Sequence, residues 1–114
     1  MLRVMLKSKI HRAVVTEANL AYEGSLTIDA DLMQGADILP YEMVHIFNVS
    51  NGERFQTYAI EGPAGSGVMC LNGAAARKGA VGDLIIVTTF ATYTPEELNL
   101  HQPKIILVNG KNRT

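Results

Sequence analysis

The sequence predicts a mainly β protein, folded as a closed or nearly closed barrel with short helices. Seven short runs rich in β-branched and other apolar residues follow one another, separated by Gly, Asn, Asp and Pro. The stretches that favour helix are only one or two turns long. With 114 residues, 47% of them apolar and 18% charged, the chain has the length and composition of one globular domain, 1–114. A core of this modest size favours oligomerisation, which adds buried surface.

The first predicted strand runs from Leu2 to about Val15 and alternates in polarity. One face carries Val4, Leu6, Ser8 and Ile10, and the other carries Arg3, Met5, Lys7, Lys9 and His11. The remaining predicted strands span residues 25–28, 43–49, 54–60, 67–71, 84–91 and 104–108. The segment "NVSNGERF" contains Asn51-Gly52, a strong signal for a hairpin between two of these strands.

Each predicted helix has residues that favour a helix start or a helix end. The segment from Asp29 to Gly35 begins with a capping residue and ends at Gly. The Ala-rich segment from Gly73 to Gly79 has basic residues at its carboxyl end, where the helix dipole favours them. "TPEE", beginning at Thr94, combines a cap, a proline and acidic residues in the first turn.

Composition excludes several classes of function. A net charge of −1 gives no general attraction to nucleic acid or to acidic membranes. No apolar run is long enough for a signal peptide or a membrane span, and the single Cys70 cannot form an intrachain disulfide, so we expect a cytoplasmic protein. His11, His45 and His101 lack the spacing of metal ligands, so no metal is expected.

Two strand faces carry groups that can bind an anion. Lys7, Lys9 and His11 share one face of the first strand, which is either an anion site or an ordinary solvated face. In "ERFQTYAIE", Arg54 and Tyr58 share a face, where Arg can clamp a carboxylate and Tyr can deliver a proton. The alternative there is an exposed Arg beside a half-buried Tyr.

Two turns complete the set of candidate features. Asn72 to Ala76 follows a strand, and its small side chains let a ligand approach the backbone, unless Gly73 only permits a tight turn. "AYEGSLT" contains Gly24-Ser25, which by itself reads as a turn. The functional alternative is that this peptide bond is one the protein breaks.

Taken together, the segments "MLKSKIHRAVVT", "YEGS", "NVSNGERFQTYAI", "LNGAAAR" and "VGDLIIV" resemble, in this order, the bacterial aspartate 1-decarboxylase family. The resemblance covers essentially the whole chain. It implies a double-psi β-barrel, a homotetramer, and a lyase that converts L-aspartate to β-alanine and CO₂ in pantothenate biosynthesis.

The resemblance also implies autocatalytic cleavage between Gly24 and Ser25, giving a small chain 1–24 and a larger chain 25–114. Ser25 Oγ would attack the Gly24 carbonyl, and elimination followed by hydrolysis would leave a pyruvoyl group derived from Ser25. This covalent cofactor would form a Schiff base with the substrate and accept its electrons, with no metal required.

Residue roles follow from the same resemblance. Lys9 and Arg54 would bind the substrate carboxylate. The catalytic groups would be Tyr58, as proton donor, and the pyruvoyl group derived from Ser25, as electron acceptor. Thr57 and Asn72 would stabilise the cleavage geometry. Further pocket residues are His11, Tyr22, Phe47, Gly73, Ala74, Ala75 and Ala76. Where some relatives carry Trp, Phe47 keeps the aromatic wall without an N–H donor. Glu23 is a less favoured base for the cleavage.

Strict alternation places Thr57 and Tyr58 on opposite faces of their strand. We therefore expect the site to lie between subunits, where neighbouring sites can use different faces of one strand. Two other functions remain open from sequence: a non-catalytic β-barrel module that binds an anionic partner, and a related decarboxylase for another acidic amino acid.

Overall fold

The computed structural model describes residues 1–114 and contains eight strands in one sheet, ordered β2-β6-β3-β5-β4-β7-β1-β8. In chain order the elements are β1 (Arg3–Val14), β2 (Glu17–Asn19), β3 (Ser25–Asp29), α1 (Ala30–Gly35), β4 (Met43–Asn48), β5 (Arg54–Gly62), β6 (Met69–Asn72), a 3₁₀ helix (Gly73–Lys78), β7 (Leu84–Tyr93), α2 (Pro95–Leu98) and β8 (Lys104–Leu107). The prediction of a mainly β chain with short helices is confirmed. None of the helices is long and apolar enough to cross a membrane.

The sheet contains both parallel and antiparallel strand pairs. The pairs β1–β8, β2–β6 and β3–β5 are parallel, and β1–β7, β3–β6, β4–β5 and β4–β7 are antiparallel. A parallel pair needs a crossover connection, so the chain leaves the sheet between its strands and returns beside a distant partner. This topology brings β2, β3 and β6 together at one end of the strand order.

Every second residue of the central strands enters the core. Ile10 of β1, Leu26 of β3, Ile46 of β4, Leu71 of β6 and Val87 of β7 are all fully buried members of one hydrophobic cluster. Burying side chains of this size contributes about 1.5–3 kcal/mol each. The residues between them lie on the opposite, outer face of the sheet, where the polar groups considered below lie.

The predicted strict alternation of the first strand is wrong at two points. The β1–β7 register shifts between Leu6 and Ser8, which pair with the consecutive residues Phe90 and Thr89. A second shift lies between Ile10 and Ala13. An extra residue at a β-bulge turns the following side chains to the other face, so one polarity pattern cannot describe the whole strand.

The predicted turn and caps are confirmed. The β4–β5 hairpin turns through residues 49–53 with Gly52 at φ +81°. The Asp29 side chain accepts the Asp31 N–H and caps α1, and Thr94 and Glu97 form a capping box on α2. The predicted Ala-rich helix is a 3₁₀ helix that begins at Gly73.

Candidate active site

The Gly24–Ser25 peptide lies where β3 begins. Ser25 is fully buried, and its antiparallel Cα partner is Asn72 at the end of β6. Cross-strand partners share a face of the sheet, so this register brings the serine hydroxyl to the Asn72 amide. The sequence separation of 47 residues is bridged by the β3–β6 pairing alone.

Two hydrogen bonds fix the position of the serine hydroxyl, and a third holds the Asn72 amide that makes one of them. Asn72 Nδ2 donates to Ser25 Oγ at 3.0 Å and to Thr27 Oγ1 at 2.8 Å. Ser25 Oγ itself donates to the Glu23 carbonyl oxygen at 3.1 Å. An amide N–H that points at Oγ stabilises negative charge on that oxygen, which is the charge a serine nucleophile develops as it loses its proton.

Gly73 packs directly against the segment that precedes Ser25. A Cβ at Gly73 would lie 2.7 Å from both Gly24 N and Gly24 Cα, and 2.8 Å from Tyr22 O. Gly73 also has φ +61°, a left-handed conformation that side chains disfavour. Gly24, in contrast, has no positive φ, and a Cβ there would meet nothing closer than Asn72 O at 4.0 Å. A side chain at position 24 would therefore meet no close contact, whereas one at position 73 would clash with Gly24 itself.

A cavity of about 210 Å³ opens beside Gly24. It is lined by Gly24, Phe55, Gln56, Thr57, Ala74, Ala75 and Lys78. Thus Thr57, Ala74 and Ala75, which were predicted as site residues, do meet Gly24 in one cavity. Lys78 was not predicted; it lies at the end of the 3₁₀ helix and pairs with Glu53 at 3.0 Å.

A row of polar side chains crosses four strands of the sheet. Lys9 of β1 pairs with Thr88 of β7, which in turn pairs with His45 of β4. His45 then pairs with Gln56 of β5. Arg54 lies two residues before Gln56 and so shares its face. The fold therefore brings Lys9, His45 and Arg54 onto one outer face from three different strands.

Arg54 lies over the ring of Phe47, with its guanidinium carbon 4.6 Å from the ring centroid. Both residues line a second cavity of about 400 Å³, together with His45, Phe55 and Gln56. Because Phe55 and Gln56 also line the Gly24 cavity, the two cavities are neighbours. A cation held on an aromatic face beside the Gly24 cavity is suited to binding a carboxylate.

The other predicted site residues lie apart from the serine within this chain. Tyr58 stacks on Tyr41 with ring centroids 6.2 Å apart and does not line the Gly24 cavity that contains Thr57. His11, on β1, has a buried Nδ1 without a hydrogen-bond partner. In the strand order, β5, β4 and β7 lie between β3 and β1, and neither Lys9 nor His11 lines the Gly24 cavity.

Two contacts of Asn72 were missed at the sequence level. Thr27 accepts its amide N–H, and Cys70 Sγ lies 3.1 Å from its Oδ1. Tyr22 lines a cavity of about 300 Å³ with Thr27 and Asn72 on this same face. Cys70 is buried at 3% exposure, and an isolated cysteine in a strand gives no indication of such a polar contact.

The fold and the sequence both have known counterparts. The rationally designed mkDPBB_sym_86 protein, a double-psi β-barrel, superposes with a TM-score of 0.52 at 18% identity, covering 73% of this chain and 91% of the design. The predicted double-psi β-barrel fold is therefore confirmed.

Sequence comparison identifies much nearer relatives. The aspartate 1-decarboxylase of Syntrophobacter fumaroxidans is 69% identical over 113 residues, which is 99% of this chain and 91% of that protein. The aspartate 1-decarboxylase of Thermoanaerobacter pseudethanolicus is 57% identical, covering 99% of this chain and 97% of that protein. A protein-family model described as aspartate decarboxylase matches residues 1–114. The chain belongs to the aspartate decarboxylase family.

Proposed function

We propose that this protein decarboxylates L-aspartate to β-alanine and CO₂, after it has cleaved its own chain between Gly24 and Ser25 and converted Ser25 to a pyruvoyl group. The one observation that carries the self-cleavage is the buried Ser25 hydroxyl, which accepts the Asn72 N–H at 3.0 Å beside the Gly24–Ser25 peptide bond. The relatives named aspartate 1-decarboxylase support aspartate as the substrate.

Cleavage begins when Ser25 Oγ attacks the Gly24 carbonyl carbon. The C–N bond then breaks, the Oγ proton passes to the Ser25 nitrogen, and an ester replaces the amide. Loss of the Ser25 α-proton expels the Gly24 carboxylate, and hydrolysis of the resulting dehydroalanine releases ammonia and leaves a ketone at residue 25. During the initial attack, Asn72 stabilises the developing charge on Ser25 Oγ. Thr57, which lines the Gly24 cavity, assists at the carbonyl.

The remaining site residues act on aspartate. The ketone supplies an acceptor for the electron pair that is released when the substrate loses CO₂. Arg54 and Lys9 bind substrate carboxylate on their shared face, and Phe47 orients the Arg54 guanidinium. Tyr58 supplies the proton that replaces the lost carboxylate. His11, Tyr22, Gly73, Ala74 and Ala75 shape the pocket.

We further propose that the working protein is a cytoplasmic homotetramer with sites between subunits, in the pathway to pantothenate. Lys9 does not line the Gly24 cavity of its own chain, so a neighbouring subunit can supply its basic face to this serine. Large apolar side chains remain uncovered on single chains, including Val4 at 70% and Tyr41 at 76% exposure. A subunit interface would bury such side chains.

Intact-mass spectrometry of the purified protein during warming tests the cleavage. We expect fragments 1–24 and 25–114, with the larger fragment lighter by one ammonia than a fragment that begins with serine. Ser25→Ala is the control, because it removes only the nucleophilic oxygen and should leave one chain. The processed protein should then release CO₂ and β-alanine from aspartate. A wild-type chain that stays whole, with no decarboxylation, would favour the non-catalytic binding module.

A further inference from the structure

Cys70 occupies a central place on the polar face around Ser25. It lies on β6 two residues before Asn72, so both side chains point to the same side of the strand. Its Cα partners are Glu17 on β2 and Thr27 on β3, while Asn72 is paired with Asn19 and Ser25 on the same strands. These two rows form one polar patch on the outside of the core.

The Cys70 thiol contacts two oxygen atoms. Sγ lies 3.1 Å from Asn72 Oδ1 and 3.1 Å from Glu17 Oε2. An amide oxygen is an acceptor only, so its contact is favourable when sulfur carries a hydrogen. The surroundings keep that hydrogen in place: burial, then the hydrogen bond and negative charge of Glu17, raise the pKa of Cys70 to about 12.

Glu17 Oε2 and Asn72 Oδ1 differ in whether another hydrogen-bond donor can replace the thiol. Glu17 is exposed, so water can hydrogen-bond its carboxylate. Asn72 is 3% exposed, and the thiol is the hydrogen-bond partner of its Oδ1. Leaving a buried amide oxygen without a donor is destabilising, because the oxygen has lost its water and gained no partner. The thiol hydrogen therefore stabilises the protein most when it points to Asn72.

The direction of this hydrogen determines which end of the Asn72 amide faces Ser25. The nitrogen and oxygen ends of an amide have nearly the same shape. Hydroxyls both donate and accept, so Thr27 would tolerate either end, and Ser25 could donate to the oxygen end only by giving up its hydrogen bond to the Glu23 carbonyl. A thiol that donates to Oδ1 selects the orientation in which Nδ2 reaches both hydroxyls.

We propose that Cys70 is a positioning residue for self-cleavage: its thiol holds the Asn72 amide so that Nδ2 faces Ser25 Oγ. This role rests on the proposed self-cleavage at Gly24–Ser25. Glu17 contributes through its negative charge, which disfavours the thiolate. Cys70 itself does not touch the scissile bond.

The rate of self-cleavage, followed by intact mass, tests the proposal in two matched variants. Cys70→Val keeps an apolar side chain of similar size but removes the donor, and cleavage should slow about tenfold. Cys70→Ser restores a donor and should recover a rate within about threefold of wild type. Cys70→Ala, which is smaller, replaces Cys70→Val should the valine variant not fold. Equal rates in wild type and Cys70→Val, or equal slowing in Val and Ser variants, would overturn the proposal.

A double mutant shows whether Cys70 acts through Asn72. Asn72→Ala removes the amide, so adding Cys70→Val to it should slow cleavage no further than Asn72→Ala alone. An additional tenfold loss in the double mutant would show that Cys70 acts by another route and would contradict the proposal.

A measurement that does not depend on cleavage separates this proposal from the proposed function. In a Ser25→Ala background, Thr27 and Cys70 still hold the Asn72 amide, and its side-chain N–H signals can be followed by NMR. Hydrogen exchange of these N–H groups should be about tenfold faster with Cys70→Val than with Cys70→Ser. Equal exchange would overturn the Cys70 role. A wild-type chain that never cleaves would instead overturn the proposed function, and the NMR comparison would then decide the Cys70 role by itself.

Discussion

Gly73 faces two constraints at once, one conformational and one steric. Its φ of +61° disfavours any side chain, and a Cβ would lie 2.7 Å from the Gly24 backbone. We expect Gly73→Ala to slow self-cleavage at least about tenfold, because a displacement of a few tenths of an ångström at Gly24 spoils the approach of Ser25 Oγ to the carbonyl. Intact mass against time measures this rate.

Gly82 provides the matched control for that prediction. It has φ +94°, but a Cβ there would meet nothing within 4 Å. Gly82→Ala should therefore lower the free energy of unfolding by about 1–2 kcal/mol, the cost of the left-handed backbone, with cleavage at the wild-type rate. If both variants slowed cleavage equally, backbone strain and not contact with Gly24 would be responsible.

Arg54 allows substrate binding to be separated from cleavage. The Arg54→Lys variant keeps the charge but loses the planar fork that binds a carboxylate through two hydrogen bonds. We expect the KM for aspartate to rise about tenfold or more. Self-cleavage should proceed normally, since Arg54 lines the neighbouring cavity and does not line the Gly24 cavity itself. An unchanged KM in steady-state assays would remove Arg54 from the substrate site.

At the scale of elements, one buried carboxylate connects a helix to a distant loop. Asp29 accepts the N–H groups of Asp31 at 2.8 Å, Gly65 at 3.0 Å and Gly67 at 2.8 Å. Burial alone would raise the pKa of Asp29, but these hydrogen bonds and the charge of Arg113 outweigh it and lower the pKa below 3.8. The charged form is thus the one that the fold stabilises.

The Asp29→Asn variant should lose about 2 kcal/mol of unfolding free energy at neutral pH, because an amide nitrogen would face backbone donors. A lowered native pKa stabilises the protein above the unfolded value of 3.8, and this stabilisation is lost as the pH falls through the native pKa. The difference between wild type and variant should therefore shrink below pH 3.8. Urea unfolding at pH 7 and at pH 3 measures it, and a constant difference would contradict the assignment.

Elements whose signals lie in consecutive residues could be predicted from the sequence. Elements that form only by pairing with strands distant in the sequence could not. The Asp29 cap, the Thr94 capping box and the Asn51-Gly52 hairpin each reside in a few consecutive residues. The strand β2 was missed because "EAN" is polar and exposed and forms only by backbone pairing to β6. The bulges of β1 were missed for the same reason, since they depend on its register with β7.

At the scale of the molecule, the contrast between local signals and long-range contacts also explains which parts of the candidate site could be predicted. Motif resemblance predicted Ser25, Thr57, Asn72 and Ala74, but not that Asn72 would be held between Ser25 and Cys70. The Ser25 contact follows from pairing β6 with β3, and the Cys70 contact follows from the two-residue spacing within β6. Nor does a net charge of −1 predict that Lys9, His45 and Arg54 share a face.

Assembly can be tested directly on the molecule as a whole. We expect a mass about four times the 12.4 kDa of one chain, measured by light scattering after size-exclusion chromatography. Tyr41→Glu should reduce this mass, because it places a charge on one of the most exposed aromatic side chains. A tetramer that is unaffected by this change would place the interface elsewhere.

The position of β1 has a consequence for refolding of the protein. Residues 1–24 include β1, which is hydrogen-bonded between β7 and β8 of the larger fragment. If Gly24–Ser25 is cleaved as proposed, the sheet is shared by two polypeptides, and an unfolded larger fragment must recover β1 by collision. A Ser25→Ala chain, diluted from urea at the same concentration, should regain more of its fold than cleaved protein. The bond that yields the reactive ketone would then also be the one that guides folding, and each molecule could use it only once.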